Sequence, residues 1–529
     1  MEDGGPTWHL FLQVILVFGC APFIDTSCPG GCSCTIEIVD CRNGDHTQIP
    51  WNLPDVTSVK EMYLNHNHIV SIVAELREYG NLEVLDLSDN QISLVSNFSF
   101  ITSRSLKVLS LSSNRMTSLK ANTFVGLTSL QVLLLSGNSF SHLDGGVFAA
   151  LTSLNVLDLS SSGIFSIDTR AFDGLRSLRT LNLSTNSLTS VPSAQLRQVP
   201  NLVTLTLDDN KIKTLPEEAL SCDRFPKLQT LSIKYNRVMS VSKAAFIALN
   251  CRSNLKTLLL NGNLLTEVPT DVIRDLPDLH EIDISSNLVS TIRVGAFSDL
   301  PELQKISFSY MPQLTVIEKG AFTNLHSLTY LKISHNSKLR EVQHGAAFAC
   351  PSLISLSLRG NAVESIGQLS FPWEQLTHVD LVGNPWRCNC DLQWMKRLLL
   401  YNQSKAEALS RDLVTCKSPH SLAGKRITEL NADDFKTSCN HTGTNLFSNH
   451  IALGLSLGVF AVTLVVVAAV LFRHRTRIGR ALQKKCAFKK RKHLSTEDTD
   501  DLCFHEDARS MTPIVLNGSC NCPNHSGSA

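Results

Sequence analysis

The chain has 529 residues, sixteen cysteines and a formal net charge of +1. This length allows several domains. Basic residues crowd after Phe472, and acidic ones follow at Glu497 to Asp501. Because the small net charge hides this uneven distribution, it does not indicate what kind of partner the chain binds. Half of the cysteines fall in two clusters that flank the central part of the chain, which favours disulfide-bearing modules in an oxidising compartment.

The N-terminus carries an apolar run, WHLFLQVILVF, of about the length of a signal-peptide core, followed by small residues at Gly19 and Ala21. Its leader lacks a lysine or arginine and instead contains Glu2 and Asp3. A cysteine cluster follows at once, which favours a secreted or membrane-anchored protein. We therefore predict a signal region over 1–27, with cleavage between Gly19 and Ser27.

A short hydrophobic pattern then repeats along most of the chain. LEVLDLSDNQI, from Leu82, returns as LKVLSLSSNRM from Leu106, LQVLLLSGNSF from Leu130 and LRTLNLSTNSL from Leu178, with asparagines at 24-residue steps or twice that. A self-similar period in the twenties indicates a solenoid. Alternation along the strand places Leu85 and Leu87 inside. We predict about fourteen leucine-rich repeats over 59–384, as an α/β-type solenoid with a parallel sheet on the concave face of a horseshoe.

Two further patterns support the repeat. An asparagine such as Asn90 follows each strand, where its amide can pair with backbone groups that the bend leaves unpaired. Ser162 and Met311 interrupt this ladder, either as tolerated variants of the turn or as part of a binding surface. A second spine of phenylalanines is predicted behind the strands, at Phe124, Phe148, Phe172, Phe246, Phe297, Phe322 and Phe348.

Cysteine modules flank the repeats. We predict caps over 28–58 and 385–439, because the exposed hydrophobic ends of a solenoid require covering. CPGGCSCTIEIVDC and NPWRCNCDLQWMKRLL resemble the two flanking caps of extracellular leucine-rich-repeat proteins. That resemblance implies four disulfides: Cys28 with Cys34, Cys32 with Cys41, Cys388 with Cys416, and Cys390 with Cys439. Two caps followed directly by a membrane span resemble Capricious, Tartan and the leucine-rich-repeat transmembrane neuronal proteins.

Three more cysteines lie among the repeats. Cys222 and Cys251 occupy comparable places in two adjacent long repeats, so we expect a further disulfide between them. Cys350 replaces a leucine of the repeat and is predicted to be a buried apolar thiol.

The C-terminal part is predicted to anchor the chain in a membrane. After a linker over 440–450, the 22 residues from Ile451 to Phe472 carry no charge and are long enough for one crossing. Arginines follow directly, which predicts a type I plasma-membrane protein with extracellular repeats and a disordered cytoplasmic tail over 473–529. The basic run from Arg473 to Lys492 suits anionic lipid, or is an ordinary stop-transfer anchor.

Within the predicted span, GLSLG from Gly454 to Gly458 has the letters of a nucleophile elbow. That site requires a strand, a turn and a helix with a histidine and an acid nearby, none of which a membrane span supplies. We therefore expect no enzyme activity, no metal and no cofactor. The same two glycines allow close helix packing, so a homodimer through this face is an open alternative.

Surface chemistry predicts sugars and a protein partner. Four sequons lie outside the membrane, at Asn97, Asn182, Asn402 and Asn440. The concave face is small and polar in its first half and richer in tyrosine and cations in its second. Tyrosine and arginine concentrate binding energy at interfaces, so we predict partner contacts at Lys234, Tyr235, Lys305, Tyr310, Tyr330, Lys332 and Arg359. The alternative is that these cations only keep the face soluble.

Two functions fit these features. The first is a recognition or adhesion receptor that binds a protein on another cell or in the matrix, with Lys305, Lys332 and Arg359 as a cationic row for an acidic protein or a sulfated glycan. The second is an innate immune co-receptor or decoy, because the predicted ectodomain resembles Toll-like receptors but lacks their intracellular signalling domain. We expect no nucleic-acid partner in either case.

Overall fold

The computed structural model describes residues 28–50, 53, 55–247, 253–401 and 412–436. These residues belong to the first of two units, Met1–Cys439. The predicted membrane span, tail, juxtamembrane linker and signal region all lie outside the described residues. Among the residues that are described, no helix is long and apolar enough to cross a bilayer.

One continuous sheet forms one side of the repeats. Its first two strands pair antiparallel within the N-terminal cap, and every later strand adds in parallel. From Glu61 onward the described sheet holds one strand for each of fourteen repeats. In order, the strands are Ser33–Cys34, Ile38–Asp40, Glu61–Tyr63, Val84–Asp86, Val108–Ser110, Val132–Leu134, Val156–Asp158, Thr180–Asn182, Thr204–Thr206, Thr230–Ser232, Thr257–Leu259, Glu281–Asp283, Lys305–Ser307, Tyr330–Lys332, Ser355–Ser357 and His378–Asp380.

The strand sequence explains why the sheet is two-sided. In Val84–Asp86 the middle residue, Leu85, is fully buried, while Val84 and Asp86 on either side remain partly exposed. Leu87 is also fully buried, and the same pattern recurs in the other coils. Since successive strand side chains point to opposite faces, the core lies behind the sheet and a continuous outer face lies in front. The predicted inward leucines are confirmed.

The return side of each coil is less regular. It contains short strands at Ser71–Ile72, Leu94–Val95, His142–Leu143, Ser166–Ile167, Thr214–Leu215, Ser240–Val241, Thr291–Ile292, Val316–Ile317 and Glu341–Val342. The repeats also hold 3₁₀ turns at Glu75–Glu78, Gln195–Gln198 and Trp373–Gln375 and a one-turn α-helix at Thr270–Ile273. The expected α/β character therefore fits only loosely in the described repeats, because a coil of this length leaves too few residues for a stable helix.

The asparagine ladder is confirmed. Asn90 Nδ2 donates to the carbonyls of Leu64 and Leu87 at 2.9 and 3.1 Å, and its Oδ1 accepts the backbone N–H of Ile69 at 2.9 Å. Several ladder carbonyls are shared by two amides; Leu87 O, for example, also accepts Asn114 Nδ2 at 2.9 Å. The amides therefore join adjacent coils through groups that are buried from water.

Both interruptions of the ladder are accommodated structurally. The Ser162 hydroxyl donates to the carbonyl of Ser160 at 3.0 Å, and the Ser162 N–H donates to Asn186 Oδ1 at 3.2 Å. Met311 is fully buried, and its N–H donates to Asn336 Oδ1 at 2.8 Å. These contacts favour the tolerated-turn interpretation at both positions.

The predicted phenylalanine spine forms in part. The described rings make two separate stacks, one from Phe100 to Phe172 and one with Phe297 and Phe322, and Phe246 is buried outside both stacks. Phe124, Phe148 and Phe172 stack with centroids 6.0 and 6.2 Å apart, and Phe100, which the sequence analysis missed, extends the stack at 6.4 Å. The prediction for Phe348 is wrong, because 51% of it is exposed. Ala347 is the buried residue there, three positions before Cys350 as Phe124 is before Leu127.

The caps carry disulfides. Cys28 is bonded to Cys34, Cys32 to Cys41 and Cys388 to Cys416, the pairing that the resemblance implied. Cys390 and Cys222 are disulfide-bonded as well, and their predicted partners, Cys439 and Cys251, lie outside the described residues. The C-terminal cap also contains the strand pair Trp386–Arg387 and Cys416–Ser418, the α-helices Gln393–Tyr401 and Ala432–Lys436, and 3₁₀ turns at Cys390–Leu392, His420–Leu422 and Ile427–Glu429.

Cys350 is a buried free thiol, as predicted. Its Sγ donates to the carbonyl of Phe322 at 3.1 Å. Burial raises the pKa of this thiol to about 12, because the thiolate would lose its hydration.

Candidate protein-binding surface

The outer face of the sheet is here named the strand face. It comprises the first and third residues of each repeat strand and the residue two positions beyond the strand, called the fifth position. In the first half it is uncharged over long rows: valines 84, 108, 132 and 156 lie side by side at the first position, and serines follow at the fifth. Ser136 Oγ donates to Ser112 Oγ at 3.0 Å between neighbouring coils. These valine and serine rows offer no charged anchor, although Asp86 and Asp158 lie at third positions between them.

The second half places cations along a diagonal. Lys305 is a first-position residue and aligns with Tyr330, whereas Lys332 is a third-position residue and aligns with Ser307. Arg359 lies at the fifth position, two residues beyond Ser355–Ser357. The expectation that these three cations share one strand position is therefore wrong. They advance by one strand and two residues at each step, across repeats eleven to thirteen.

Carboxylates flank this cationic diagonal on both sides. Lys305 Nζ lies 4.0 Å from Glu281 Oε2 in the preceding repeat, and Arg359 Nη1 lies 3.3 Å from Asp380 Oδ2 in the following one. Pairs at this level of exposure contribute little to stability, about 0–1 kcal/mol each. Their main effect is to arrange charge in bands along the sheet: acidic in repeat ten, basic in eleven to thirteen and acidic again in fourteen.

Asp283 completes the first acidic band. The pKa of Asp283 is raised above its usual value by burial, although hydrogen bonds from the Ser285 side chain and from the Ser285 N–H, 2.8 Å from Asp283 Oδ1, lower it in part. The charges of Lys332 and Lys234 also lower this pKa. Lys234 itself pairs with Asp208 at 3.2 Å, so it is not a free cation.

The turn after each strand has a fixed backbone conformation. The residue just before the ladder position has φ between 52° and 77° in all fourteen described repeats. Most of these residues are glycine, serine, aspartate or threonine, which suit a left-handed turn or tolerate it. Tyr235 and Tyr310 are bulky exceptions, and such residues at positive φ are strained. Both rings are also exposed, by 60% and 58%.

Each of these tyrosines packs on the following repeat. The Tyr310 ring stacks on His335 with centroids 4.8 Å apart and planes 9° from parallel. A Cβ at Gly262 would lie 2.5 Å from Tyr235 Cδ1, and one at Gly360 would lie 2.6 Å from His335 Nδ1. Gly262 and Gly360, which have no side chain, therefore leave room for the rings of Tyr235 and His335. Sequence reasoning missed His335, although its place just before Asn336 marks it as a turn residue.

The remaining predicted site residues are one partner-binding residue, Tyr330, and the four glycosylation sequons. Tyr330 is half-buried at the first position of its strand, between Lys305 and Ser355. Asn97 is exposed, and Asn182 is half-buried at a third position, where its Oδ1 accepts the Ser184 N–H at 3.0 Å. The sequons at Asn402 and Asn440 lie outside the described residues.

One group in the described part of the chain has the composition of a metal site. Cys32, Cys41 and His46 bring their ligand atoms within 4.8 Å of one another. The two sulfur atoms are bonded to each other at 1.98 Å, so neither is a thiolate that could ligate an ion. His46 Nε2 instead contacts Cys32 Sγ at 3.2 Å.

Comparison with known families agrees with this geometry. The model for the leucine rich repeat matches residues 80–140, 104–164, 131–188, 152–212, 176–238, 253–310 and 312–363, which together cover just over half of the chain. The chain belongs to the leucine-rich repeat family. The more specific resemblance to Capricious and Tartan remains an expectation from sequence.

Individual leucine-rich repeat relatives match only locally. Mouse chondroadherin is 36% identical over 63 residues, 12% of this chain and 16% of its own length. Human leucine-rich repeat-containing protein 52 is 35% identical over 98 residues, 18% of this chain and 29% of its own length. The chain thus spans less than a third of these curated relatives.

Solved structures of other proteins share the fold. The Drosophila Toll–Spatzle complex aligns with a TM-score of 0.58 at 21% identity, covering 74% of this chain and 57% of that one. The LRIM1/APL1C complex gives 0.54 at 20%, covering 85% and 76%, and the TLR13–ssRNA13 complex gives 0.52 at 20%, covering 74% and 64%. At such identities the likeness concerns the fold alone.

Proposed function

We propose that this leucine-rich repeat protein is a recognition or adhesion receptor that binds a protein partner through the strand face of repeats ten to fourteen. The observation that supports it most directly is the banded charge of that face, with Glu281 and Asp283, then Lys305, Lys332 and Arg359, then Asp380. Tyr330 lies within the basic band, and tyrosine and arginine are enriched where interfaces concentrate energy. Toll has been solved in complex with Spatzle, and LRIM1 in complex with APL1C.

Banded charge favours a protein over a sulfated glycan. A polyanion gains from a continuous stripe of one sign, whereas here the cations pair with carboxylates at 4.0 and 3.3 Å. Those carboxylates would repel a uniform anion. A folded partner can carry the opposite bands, and such complementarity fixes register and selects the partner.

The proposed setting is the plasma membrane, with the repeats outside the cell. It draws on the sequence of the predicted signal region and of residues 451–472, together with the disulfides in both caps, which persist in oxidising compartments. Glycans at Asn97 and Asn182 belong to the same proposal.

A charge swap tests the bands directly. Cells that display the full chain are screened against an array of purified extracellular proteins. The proteins that bind are then tested on the double swap Glu281→Lys with Lys305→Glu and on Arg359→Asp with Asp380→Arg. Each swap keeps the ion pair and the net charge but exchanges the two charges that face each other across one boundary between the bands. We expect both swaps to reduce partner binding at least tenfold at unchanged surface expression.

The control is a swap of an ion pair between repeats two and three, Glu83→Lys with Lys107→Glu, which lies one residue before the strands with its charges 2.6 Å apart. It should leave binding unchanged. If both C-terminal swaps bind the partner as the unaltered chain does, the recognition surface lies elsewhere on the solenoid.

The alternative is an innate immune co-receptor or decoy, which the shared fold with Toll and TLR13 keeps in consideration. The same displayed chain can be screened against bacterial lipids. Binding of such lipids with no extracellular protein partner would favour this alternative.

A further inference from the structure

The turn residues of repeats eight to fourteen form an edge beside the strand face, here named the turn ridge. Its members, in order, are Tyr235, Gly262, Ser286, Tyr310, His335, Gly360 and Gly383. None of the seven carries a permanent charge, in contrast to the banded strand face beside them. From the ridge we infer a second binding surface, for a neutral oligosaccharide such as a glycan carried by a partner protein. It goes beyond the proposed protein site and does not depend on it.

The two tyrosines each present one open ring face. Tyr310 stacks on His335 of the following repeat at 4.8 Å, so its other face is turned toward the preceding repeat. Tyr235 packs over Gly262 of its following repeat in the same sense. Both residues hold a strained backbone conformation, with φ of 57° and 52°, where several other repeats use serine or glycine. Strain and exposure in the same residues favour a functional role over a packing role.

In the repeat that precedes each tyrosine, the turn residue is polar. Toward Tyr235 the preceding turn residue is Asp209, which is exposed, and toward Tyr310 it is Ser286. A pyranose satisfies both features of such a site, because its C–H face stacks on an aromatic ring while its hydroxyls reach a carboxylate or hydroxyl group. A few well-placed polar groups beside an aromatic surface are what orient a small ligand.

Other occupants fit less well. An apolar side chain on Tyr235 would displace water from Asp209 without replacing its hydrogen bonds, which is unfavourable. A guanidinium could pair with Asp209 but would find a neutral serine at the second ring. The two tyrosines lie three strands apart, about 14 Å at the usual strand spacing, so one oligosaccharide can extend across both.

The test is saturation-transfer NMR on the purified full-length chain with N-acetylglucosamine tetrasaccharide and with a β-linked glucose tetrasaccharide. We expect transfer to the ring C–H protons of at least one of them, unchanged between 50 and 500 mM salt. The double variant Tyr235→Ser with Tyr310→Ser should reduce this signal at least fivefold. Serine occupies the same turn in other repeats, so the variant should melt no lower than the unaltered chain.

Two controls separate this surface from the others. Tyr310→Phe should retain binding because the ring remains, and His66→Ser, a turn residue of the first repeat, should have no effect. The swap of Glu281 with Lys305 should leave saccharide transfer unchanged whether or not it alters protein binding. The inference is overturned if neither saccharide shows transfer, if the double serine variant binds as well as the unaltered chain, or if binding disappears at 500 mM salt.

Discussion

Replacing Asn90 by leucine tests whether the ladder holds adjacent coils together. The substitution keeps similar bulk but removes a buried amide that contacts the backbone of two adjacent coils. In the structure Asn90 Oδ1 accepts the Ile69 N–H at 2.9 Å, and Asn90 Nδ2 donates to the carbonyls of Leu64 and Leu87. Losing the amide nitrogen and losing the amide oxygen should not destabilise the chain equally.

Each carbonyl keeps a second donor after the substitution. Leu64 O also accepts Asn67 Nδ2 at 2.9 Å, and Leu87 O also accepts Asn114 Nδ2 at 2.9 Å. The Ile69 N–H has no such substitute among the described contacts, and an orphaned buried donor costs about 1–3 kcal/mol. Together with the weakened hydrogen bonding of the two carbonyls, this loss should lower the free energy of unfolding by about 2–4 kcal/mol.

Hydrogen exchange provides the local measurement. Since about 1.4 kcal/mol corresponds to a factor of ten, the Ile69 amide should exchange at least about thirtyfold faster, and the urea midpoint should fall. Asn90→Ser should lose less, because the Ser162 hydroxyl donates to Leu135 O at 3.4 Å, and Leu135 O is the counterpart of Leu64 O at that point of the ladder. Asn122→Leu, at an exposed position, is the control and should change neither readout. Unchanged exchange at Ile69 in the leucine variant would refute the account of the ladder.

Three further predictions concern the spine, the free thiol and the C-terminal cap. Phe148→Ala should destabilise the chain by about 3–5 kcal/mol in urea unfolding, whereas Phe348→Ala should have almost no effect, because Phe148 is fully buried and Phe348 is half exposed. Native Cys350 should resist alkylation at pH 8 in peptide mapping and react in denaturant. Because its folded pKa is raised from 9.0 to about 12, its contribution to stability is complete below pH 9 and is lost as the pH rises toward 12, so falling stability over that range is expected. Replacing both Cys388 and Cys416 by alanine opens a bond with a sequence separation of 28 and should lower the free energy of unfolding by about 2–5 kcal/mol, seen as lower surface expression of the full chain. Unchanged surface expression would contradict a stabilising role of this disulfide.

Features that depend on side-chain type at fixed spacing could be predicted from the sequence. Leu85 and Leu87 are buried, and Asn90 pairs with backbone, because alternation and an amide after the strand leave few other arrangements. Phe348 shows the limit of the same reasoning. Its residue type matched the spine, but its spacing from Cys350 did not, and the spacing determines which side chain is buried.

The turn ridge was not recognised as one surface because its members share a conformation and not a residue type. Tyr310 and His335 differ in chemistry from Gly262 and Gly360, yet all four have positive φ and lie in line along successive coils. Only the backbone shows that the rings lie over the glycines of following repeats. The tyrosines could be selected from the sequence as exposed candidates, but their stacking could not.

The cationic diagonal shows how a regular spacing can mislead. Lys305, Lys332 and Arg359 follow each other at steps of 27 residues, which looks like a repeat period. The strands that hold them begin at Lys305, Tyr330 and Ser355, so the local period is 25. Each step therefore gains two residues along the strand. Because side chains alternate with a period of two, that gain keeps every cation on the strand face but moves it into a new row, beside the carboxylates of Glu281 and Asp380. The difference of two residues turns a predicted single-sign row, suited to a polyanion, into the banded surface from which a protein partner is proposed.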